Sequence, residues 1–345
     1  MNAHPFLPIL ALAAAPGATP ASMVLRVIGI LFPLFALLFL GAALRRSGFL
    51  TEAFAEGLNR LVFYGALPCL LVGSISASDP IAGSGRASLA LALGTVGIAV
   101  VAWALAVPLG VSRASRPSFC QSVFRSNNAY VGLPVMALAF AGTGAEKEGL
   151  ALATLTLAPC LLLYNAMAVL ILTHPDDSAP PLRRLGRVCL GLFRNPLILA
   201  CLAGLALLGL RLRLGVSPEA WAASANPLLK TIRLFGTMAT PGSLVALGAT
   251  LTRERLRASL ADAHKAAALK LAVCPLLGLG VCLALGLPPL HRFIVLIYLA
   301  CPSAVASYVM AEAMGGDGRL AGSVVALTTI YSFLSLSTVL LLATF

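Results

Sequence analysis

Residues 125–140 read RSNNAYVGLPVMALAF, which sets Arg125, Asn127, Asn128, Gly132 and Pro134 into the start of a run otherwise apolar enough for lipid. An Asn side chain offers two N–H donors and one carbonyl acceptor. In hydrocarbon such groups are costly unless they meet a partner or line a water-filled cavity. A proline removes a helix hydrogen bond, and a glycine beside it lets the chain unwind, so backbone groups are released at the same depth. A second place of this kind is CPSAVASYVM at 301–310, built around Pro302. Two helices interrupted at Pro134 and Pro302 and crossing there point broken ends at each other. The N-termini so exposed can hold an anionic group.

The elements that carry these residues follow from composition. Of 345 residues 59% are hydrophobic and only 10% charged, against about one quarter charged in an ordinary soluble domain. About 18 uncharged residues or more can cross the ~30 Å hydrocarbon core as a helix. The first half contains Val27 to Leu44, Leu61 to Ser78, Ala87 to Ser112, Ser126 to Ala145 and Gly149 to Thr173. The second half contains Asn195 to Leu210, lengthened by an apolar lead-in from Val188, then Leu234 to Thr252, Leu271 to Leu290, Phe293 to Ala311 and Leu320 to Phe345. The expectation is therefore an all-α integral membrane protein with ten spanning helices. The uncharged stretch 1–25 is left out, because Pro5, Pro8, Pro16, Gly17 and Pro20 repeatedly remove hydrogen bonds that lipid cannot replace. It lacks the basic n-region of a signal peptide, and Met23 is an alternative start to Met1.

A net charge of +12 raises nucleic acid as a partner, but the basic residues sit in short loops between apolar runs. Sixteen Lys and Arg, among them Arg45, Arg113, Arg125, Lys265 and Lys270, fall after odd-numbered runs, against eight elsewhere. By the positive-inside rule this puts the odd loops in the cytoplasm and both termini outside. The basic 183–194 reads as a cytoplasmic flank that could lie on anionic lipid, and Arg125 likewise reads as an interfacial anchor in preference to an anion attractor. All eight Cys lie in or beside apolar runs with no close C-x-x-C pair and read as small hydrophobes. No zinc site, phosphate loop or dinucleotide fingerprint is present, so no cofactor or metal is expected.

The prolines carry a repeat. The first run has FPLFALLFLG and the sixth NPLILACLAG, each with Leu after Pro and Gly eight residues on, Pro33 to Gly41 and Pro196 to Gly204. The second and seventh share P-x-x-L-V at Pro68 and Pro241, read as hinges or helix breaks, and the fourth and ninth hold Pro134 and Pro302. This order suggests two five-helix copies, the second inserted upside down because five is odd. Inverted repeats with broken helices meeting at the midplane are characteristic of secondary transporters. Pro33 and Pro275 taken alone read as packing kinks.

These residues resemble the auxin efflux carrier family, over roughly residues 23 to 345. The fourth run matches its Asn, four residues, G-x-P pattern at Asn127, Gly132 and Pro134, and the second matches N-R-x-V before Pro at Asn59, Arg60, Val62 and Pro68. NPL in the sixth run, TPGSLVALGA in the seventh and CPSAVASYVMAEAMG in the ninth follow in order. The resemblance implies an elevator-type carrier of a small organic acid anion, a mono- or dicarboxylate. Its scaffold would be helices one, two, six and seven, and its transport domain three to five and eight to ten. The domain boundaries expected are a tail at 1–22, repeats at 23–173 and 188–345, and a short cytoplasmic loop at 174–187. The resemblance places the carboxylate at the crossing of helices four and nine, with Asn127 and Asn128 beside Gly132, Pro134 and Pro302. Bacterial relatives often carry Asn four residues after the ninth-helix Pro, where this chain has Ala306, so Ser303 and Ser307 are the nearest hydroxyls. The partners implied are the anion, the inner-membrane bilayer and a second copy in a homodimer.

Two rivals bear on the same residues. A sodium- or proton-coupled symporter or antiporter normally keeps an acid at mid-membrane; here Glu312 is nearest, and AEAMGGDG reads as a helix end at the interface. A ligand sensor needs an output domain, and no loop is long enough to hold one. His4, His174, His264 and His291 all fall in loops or tails, and the Ser, Thr and Tyr of LTTIYSFLSLST read as interhelical hydrogen bonders. An enzyme is not expected, since the intramembrane region offers almost no acid, base or nucleophile.

Overall fold

The structure, a computed structural model, describes residues 20–77, 83–172, 196–217, 220–221, 226–249 and 260–342. Most of the tail 1–22, the loop 174–187, the basic 183–194, His4 and Arg253, Arg255 and Arg257 lie outside the described residues, as does the side chain of Glu312. Among those described, every named element is helical and the one β feature is an isolated bridge. The helices are α1 Pro20–Arg46, α2 Glu52–Ser76, α3 Ser84–Ala106, α4 Arg116–Phe124, α5 Asn128–Phe140 and α6 Glu146–Leu172. They continue as α7 Pro196–Arg213, α8 Pro227–Gly236, α9 Ala239–Ala249, α10 Leu260–Ala284, α11 Pro289–Ala300, α12 Val305–Ala313 and α13 Gly318–Leu342. The described part of each apolar run is mainly helical; the seventh and ninth are each split in two, and the fourth starts at a break that separates it from α4. Six of the described helices, α1, α2, α3, α6, α10 and α13, are long and apolar enough to cross a membrane. Their outward residues include Phe32, Phe39, Val100, Leu276 and Leu334, large apolar side chains that lipid solvates without penalty.

Several helices begin before the uncharged runs do, and two of these starts place polar residues in the interior. Helix α2 begins nine residues before Leu61, at Glu52, where the Thr51 hydroxyl accepts from the Phe54 amide. Glu52, Glu56 and Asn59 share one side of it at helical spacing and line an internal cavity, which is why polar residues are tolerated there. Helix α10 begins at Leu260, so Lys270 belongs to its middle and not to a loop. A charge is accommodated inside an apolar helix when it faces the protein interior. With the buried Lys270 and Arg125 taken out of one count and the buried Arg211 out of the other, fourteen basic residues stand against seven, and the charge bias survives.

The prolines act through the backbone in a consistent way. Three π turns, Val62–Ala66, Asn128–Gly132 and Leu269–Val273, each end two residues before a proline, Pro68, Pro134 or Pro275. In each, the residue before the proline bonds five residues back: Leu67 to the Val62 carbonyl, Leu133 to Asn128 and Cys274 to Leu269. Proline has no N–H for its own i−4 carbonyl, and its ring crowds that carbonyl. One wider turn absorbs both defects without ending the helix. Pro68 therefore sits in a continuous α2 and does not break it. Pro241 lies in the first turn of α9, after the non-helical Thr237 and Met238. Pro33 and Pro159 remain inside uninterrupted α-helices.

The closest helix pairs are α1 with α9 and α2 with α7, with α8 also against α2. Glycines make these approaches. A Cβ on Gly41 would meet the Val245 carbonyl oxygen, and one on Gly248 would meet that of Leu38. Across the second pair, a Cβ on Gly204 would stand 2.9 Å from Ile75 Cβ, and from α8 one on Gly236 would stand 2.9 Å from the Leu70 amide nitrogen of α2. Backbones approach this closely in membranes only over small residues, where dispersion replaces the absent hydrophobic drive. A second group gathers around α3, which packs on α4, α6, α10 and α11, while α13 packs on α10, α11 and α12. At one end of this group Lys265 donates to the Leu109 carbonyl (2.7 Å) and Ser115 to Asp317 Oδ2 (2.7 Å); at the other Arg86 donates to the Leu285 carbonyl (2.6 Å).

Replacing Gly248 with Leu drives a side chain into the α1 backbone. A loss of about 1–3 kcal/mol or more is expected, read as a lower unfolding midpoint in detergent, whereas the same change at Gly57, with open space around it, leaves the midpoint within a degree or two.

Candidate functional site at the crossing of two interrupted helices

Helix α4 stops at Phe124 because Arg125 turns extended (φ −83°, ψ 98°) and Asn127 follows at φ −83°, ψ 54°. Helix α11 stops at Ala300, where Cys301 turns extended (φ −60°, ψ 150°) ahead of Pro302. The two short extended segments pass antiparallel, with Ser126 opposite Ser303. The Asn127 amide donates to the Pro302 carbonyl (2.8 Å), and the Ala304 amide donates to the Arg125 carbonyl (2.9 Å). The Ser303 amide is taken by Thr328 Oγ1 of α13 (3.0 Å). Each break thus satisfies backbone groups released by the other, which lipid could not do. Helices α5 and α12 begin on the far side of this crossing, their first amides and positive dipole ends directed back toward it.

The sequence-predicted residues fall as follows. Asn127 and Asn128 are both buried at the crossing. Asn128 Nδ2 donates to Tyr164 Oη (3.0 Å), while Asn127 Nδ2 and Asn128 Oδ1 have no partner among the described residues. Gly132 faces α11: a Cβ there would stand 2.7 Å from the Tyr298 ring and 3.2 Å from Cys301 Sγ. Pro134 is seven residues beyond Asn127, in the continuing helix, so the chains cross at Asn127 and Pro302 and not at Pro134. The reason is that the π turn keeps helix going up to Pro134, whereas no wider turn covers Arg125 to Asn127. Ser303 and Ser307 are buried beside the crossing, and their hydroxyl oxygens lack partners among the described residues. Pro68 and Pro241 stand apart, in α2 and α9.

A cavity of about 800 Å³ reaches from the crossing to the end of the molecule where Arg45 pairs with Glu52 (3.1 Å). Asn127 and Asn128 line it; Gly132, Pro134, Pro302, Ser303 and Ser307 do not, and Ala306 takes the α12 wall instead. Near the crossing the polar wall comes from Arg125, Ser126, Tyr130, Tyr164 and Asn165, with Asn59 of α2 accepting from Tyr130 Oη (3.0 Å), and Arg45, Glu52, Glu56 and Arg60 also line the cavity.

Arg125 is 7% exposed and is not the interfacial anchor expected from its position after Phe124. Its Nη2 donates to Asn165 Oδ1 (2.8 Å) and its Nη1 to Met310 Sδ (2.8 Å), and Asn165 is itself held by the Leu161 carbonyl (2.8 Å). Arg125 follows a helix already buried on every face from Ser118 to Phe124, so the charge ends inside the protein. Lys270, fully buried, donates to Ser126 Oγ from behind the crossing. Among the described residues neither cation has a carboxylate within salt-bridge distance. The signals that could have found these groups were Asn165 within an apolar run and Lys270 five residues before a proline, the spacing that also separates Phe63 from Pro68 and Ala129 from Pro134 in the other π turns.

The arrangement is a polar floor of N–H and O–H donors with the Arg125 guanidinium in the wall and the Lys270 ammonium behind it, and among the described residues of the floor no nucleophile is paired to a base. Over residues 26–340 the chain matches the family described as membrane transport protein. It is 26% identical over 306 residues to an uncharacterized transporter of Methanothermobacter thermautotrophicus, an alignment that covers 87% of this chain and 93% of the relative. With its several apolar spans, the chain is a multi-pass membrane protein and not an enzyme. It belongs to the membrane transport protein family, that of the auxin efflux carriers.

Proposed function

We propose that the chain carries a small organic anion, a mono- or dicarboxylate of auxin-like or malonate- or malate-like kind, across the cell inner membrane by elevator-type alternating access. In this reading ten spanning segments form two inverted repeats, 23–173 and 188–345. The scaffold is α1, α2, α7 and the α8–α9 pair; α3 to α6 and α10 to α13 move the cargo. Exchanging the two halves turns the α1 and α9 contact into the α7 and α2 contact, so each closest pair is the image of the other. The same exchange turns α3 with α6 into α10 with α13, and the Arg125–Asn127 break into the Cys301–Ala304 break. Gly41 and Gly204, which share a spacing from Pro in sequence, both occupy these contacts.

One observation carries the anion assignment. At the floor of the cavity a buried guanidinium and the side-chain amide of Asn127, unpartnered among the described residues, face the same space, and no carboxylate, Glu52 and Glu56 of the wall included, lies within salt-bridge distance of that guanidinium. An uncompensated charge in a low-dielectric interior is unfavourable by several kcal/mol, and an anionic guest removes that penalty. The cavity opens at the end bearing Arg45 and Glu52, cytoplasmic by the charge bias, which corresponds to an inward-open state with both termini outside.

The test is a thermal-shift screen of mono- and dicarboxylates on purified protein, followed by counterflow in vesicles. Asn127→Ala should lower flux of any hit about tenfold or more, as loss of a hydrogen bond to a charged group predicts, while insertion and unfolding midpoint hold. Flux equal to wild type would refute the role of Asn127. Arg125→Met should abolish binding of the anion; a variant that still binds it as tightly as wild type sinks the anion assignment.

A further inference from the structure

Lys270 lies in the π turn of α10, fully buried, and is not part of the cavity wall. Its Nζ meets Ser126 Oγ, with Cys274 Sγ at 4.0 Å as the next partner. An ammonium has only N–H to offer, so Ser126 is the acceptor. On the cavity side Tyr164 lies beside Ser126, and the Tyr164 oxygen accepts from Asn128 Nδ2 (3.0 Å). Two hydroxyl oxygens therefore each accept from a donor behind them. Their two protons remain, and a bond between the hydroxyls uses one. Tyr164 also lies against Thr95; with the Tyr164 proton directed to Ser126 or to Thr95 the Ser126 O–H is left over, and both Ser126 and Tyr164 line the cavity.

We propose, resting on the anion-carrier reading above, that Lys270 is a positioning residue that orients the Ser126 and Tyr164 hydroxyls as donors to the carboxylate of the cargo. The charge is placed where it polarises the donor without touching the guest. Nothing but hydroxyl protons then needs to reorganise when the anion leaves. The π turn is what puts Lys270 there: without the wider turn before Pro275, the side chains of 260–270 would rotate relative to those beyond it.

The experiment measures binding of malonate and of indole-3-acetate to purified full-length wild type, Ser126→Ala, Ser126→Thr, Lys270→Met and the Ser126→Ala/Lys270→Met double variant. Unfolding midpoints of the empty proteins are recorded alongside. For whichever probe binds wild type, Ser126→Ala and Lys270→Met should each weaken affinity about tenfold, within the range for a hydrogen bond to a charged group. Ser126→Thr should restore it, and the double variant should be no weaker than the weaker single, since both act through one hydroxyl. Should Lys270→Met fail to fold, Ser126→Ala against Ser126→Thr decides alone. Wild-type affinity in Ser126→Ala, or fully additive losses in the double variant, overturns this inference while leaving the carrier reading intact. No binding of any carboxylate by wild type overturns both.

Discussion

The structure depends on one constraint: within hydrocarbon every backbone N–H and C=O needs a partner supplied by the protein. Two buried segments stop being helical, one at the head of the fourth apolar run at Arg125–Asn127 and one within the ninth at Cys301–Ala304, and each break is tolerable only because the other lies against it. The Asn127 amide meets the Pro302 carbonyl and the Ala304 amide meets the Arg125 carbonyl. Pro302 is apt there because it has no N–H to leave unpaired. Neither break is stable in lipid alone, so the two halves of the chain must come together for either to form.

That mutual dependence explains the polarity of the surroundings. Once backbone groups are satisfied in a short antiparallel pair, side chains next to them project into the space the missing helix turns would have filled. Arg125 turns inward to Asn165 and Met310, Lys270 reaches Ser126, and Asn127 keeps a donor with no protein partner. Close packing around the crossing holds this geometry: Gly132 lets the Tyr298 ring and Cys301 sulfur approach. Elsewhere Gly41 and Gly248 lock α1 to α9, a contact of backbone on backbone that gives a rigid support away from the cavity.

Some of this was legible in the residues and some was not. Asn127 and Asn128 stood out because amides in an apolar run are anomalous, and both line the cavity. Pro134 stood out for an equally good local reason, yet the chain breaks seven residues earlier. A proline needs only a wider turn before it, whereas the extended backbone at Arg125 to Asn127 is held by hydrogen bonds to a segment some 175 residues away. Ser303 and Ser307 were the hydroxyls nearest Pro302 in sequence but do not reach the cavity wall. Arg125 and Lys270, each at the margin of an uncharged run, looked like loop charges, because a count of charges along the chain cannot tell a helix end at the membrane surface from a turn buried in protein.

Local properties, then, were settled by the chain itself: helical runs of lipid length, the helix breakers, the Pro-to-Gly spacing shared by the two halves and the bias of basic residues. These depend on transfer of side chains into lipid and on backbone propensities, both of which act over one element at a time. Which cations are buried, which hydroxyls face the cavity and where the helices stop depended on the tertiary structure. Those features are decided by hydrogen bonds between segments distant in sequence, and a pairing of this kind leaves no periodicity or composition for one segment to display.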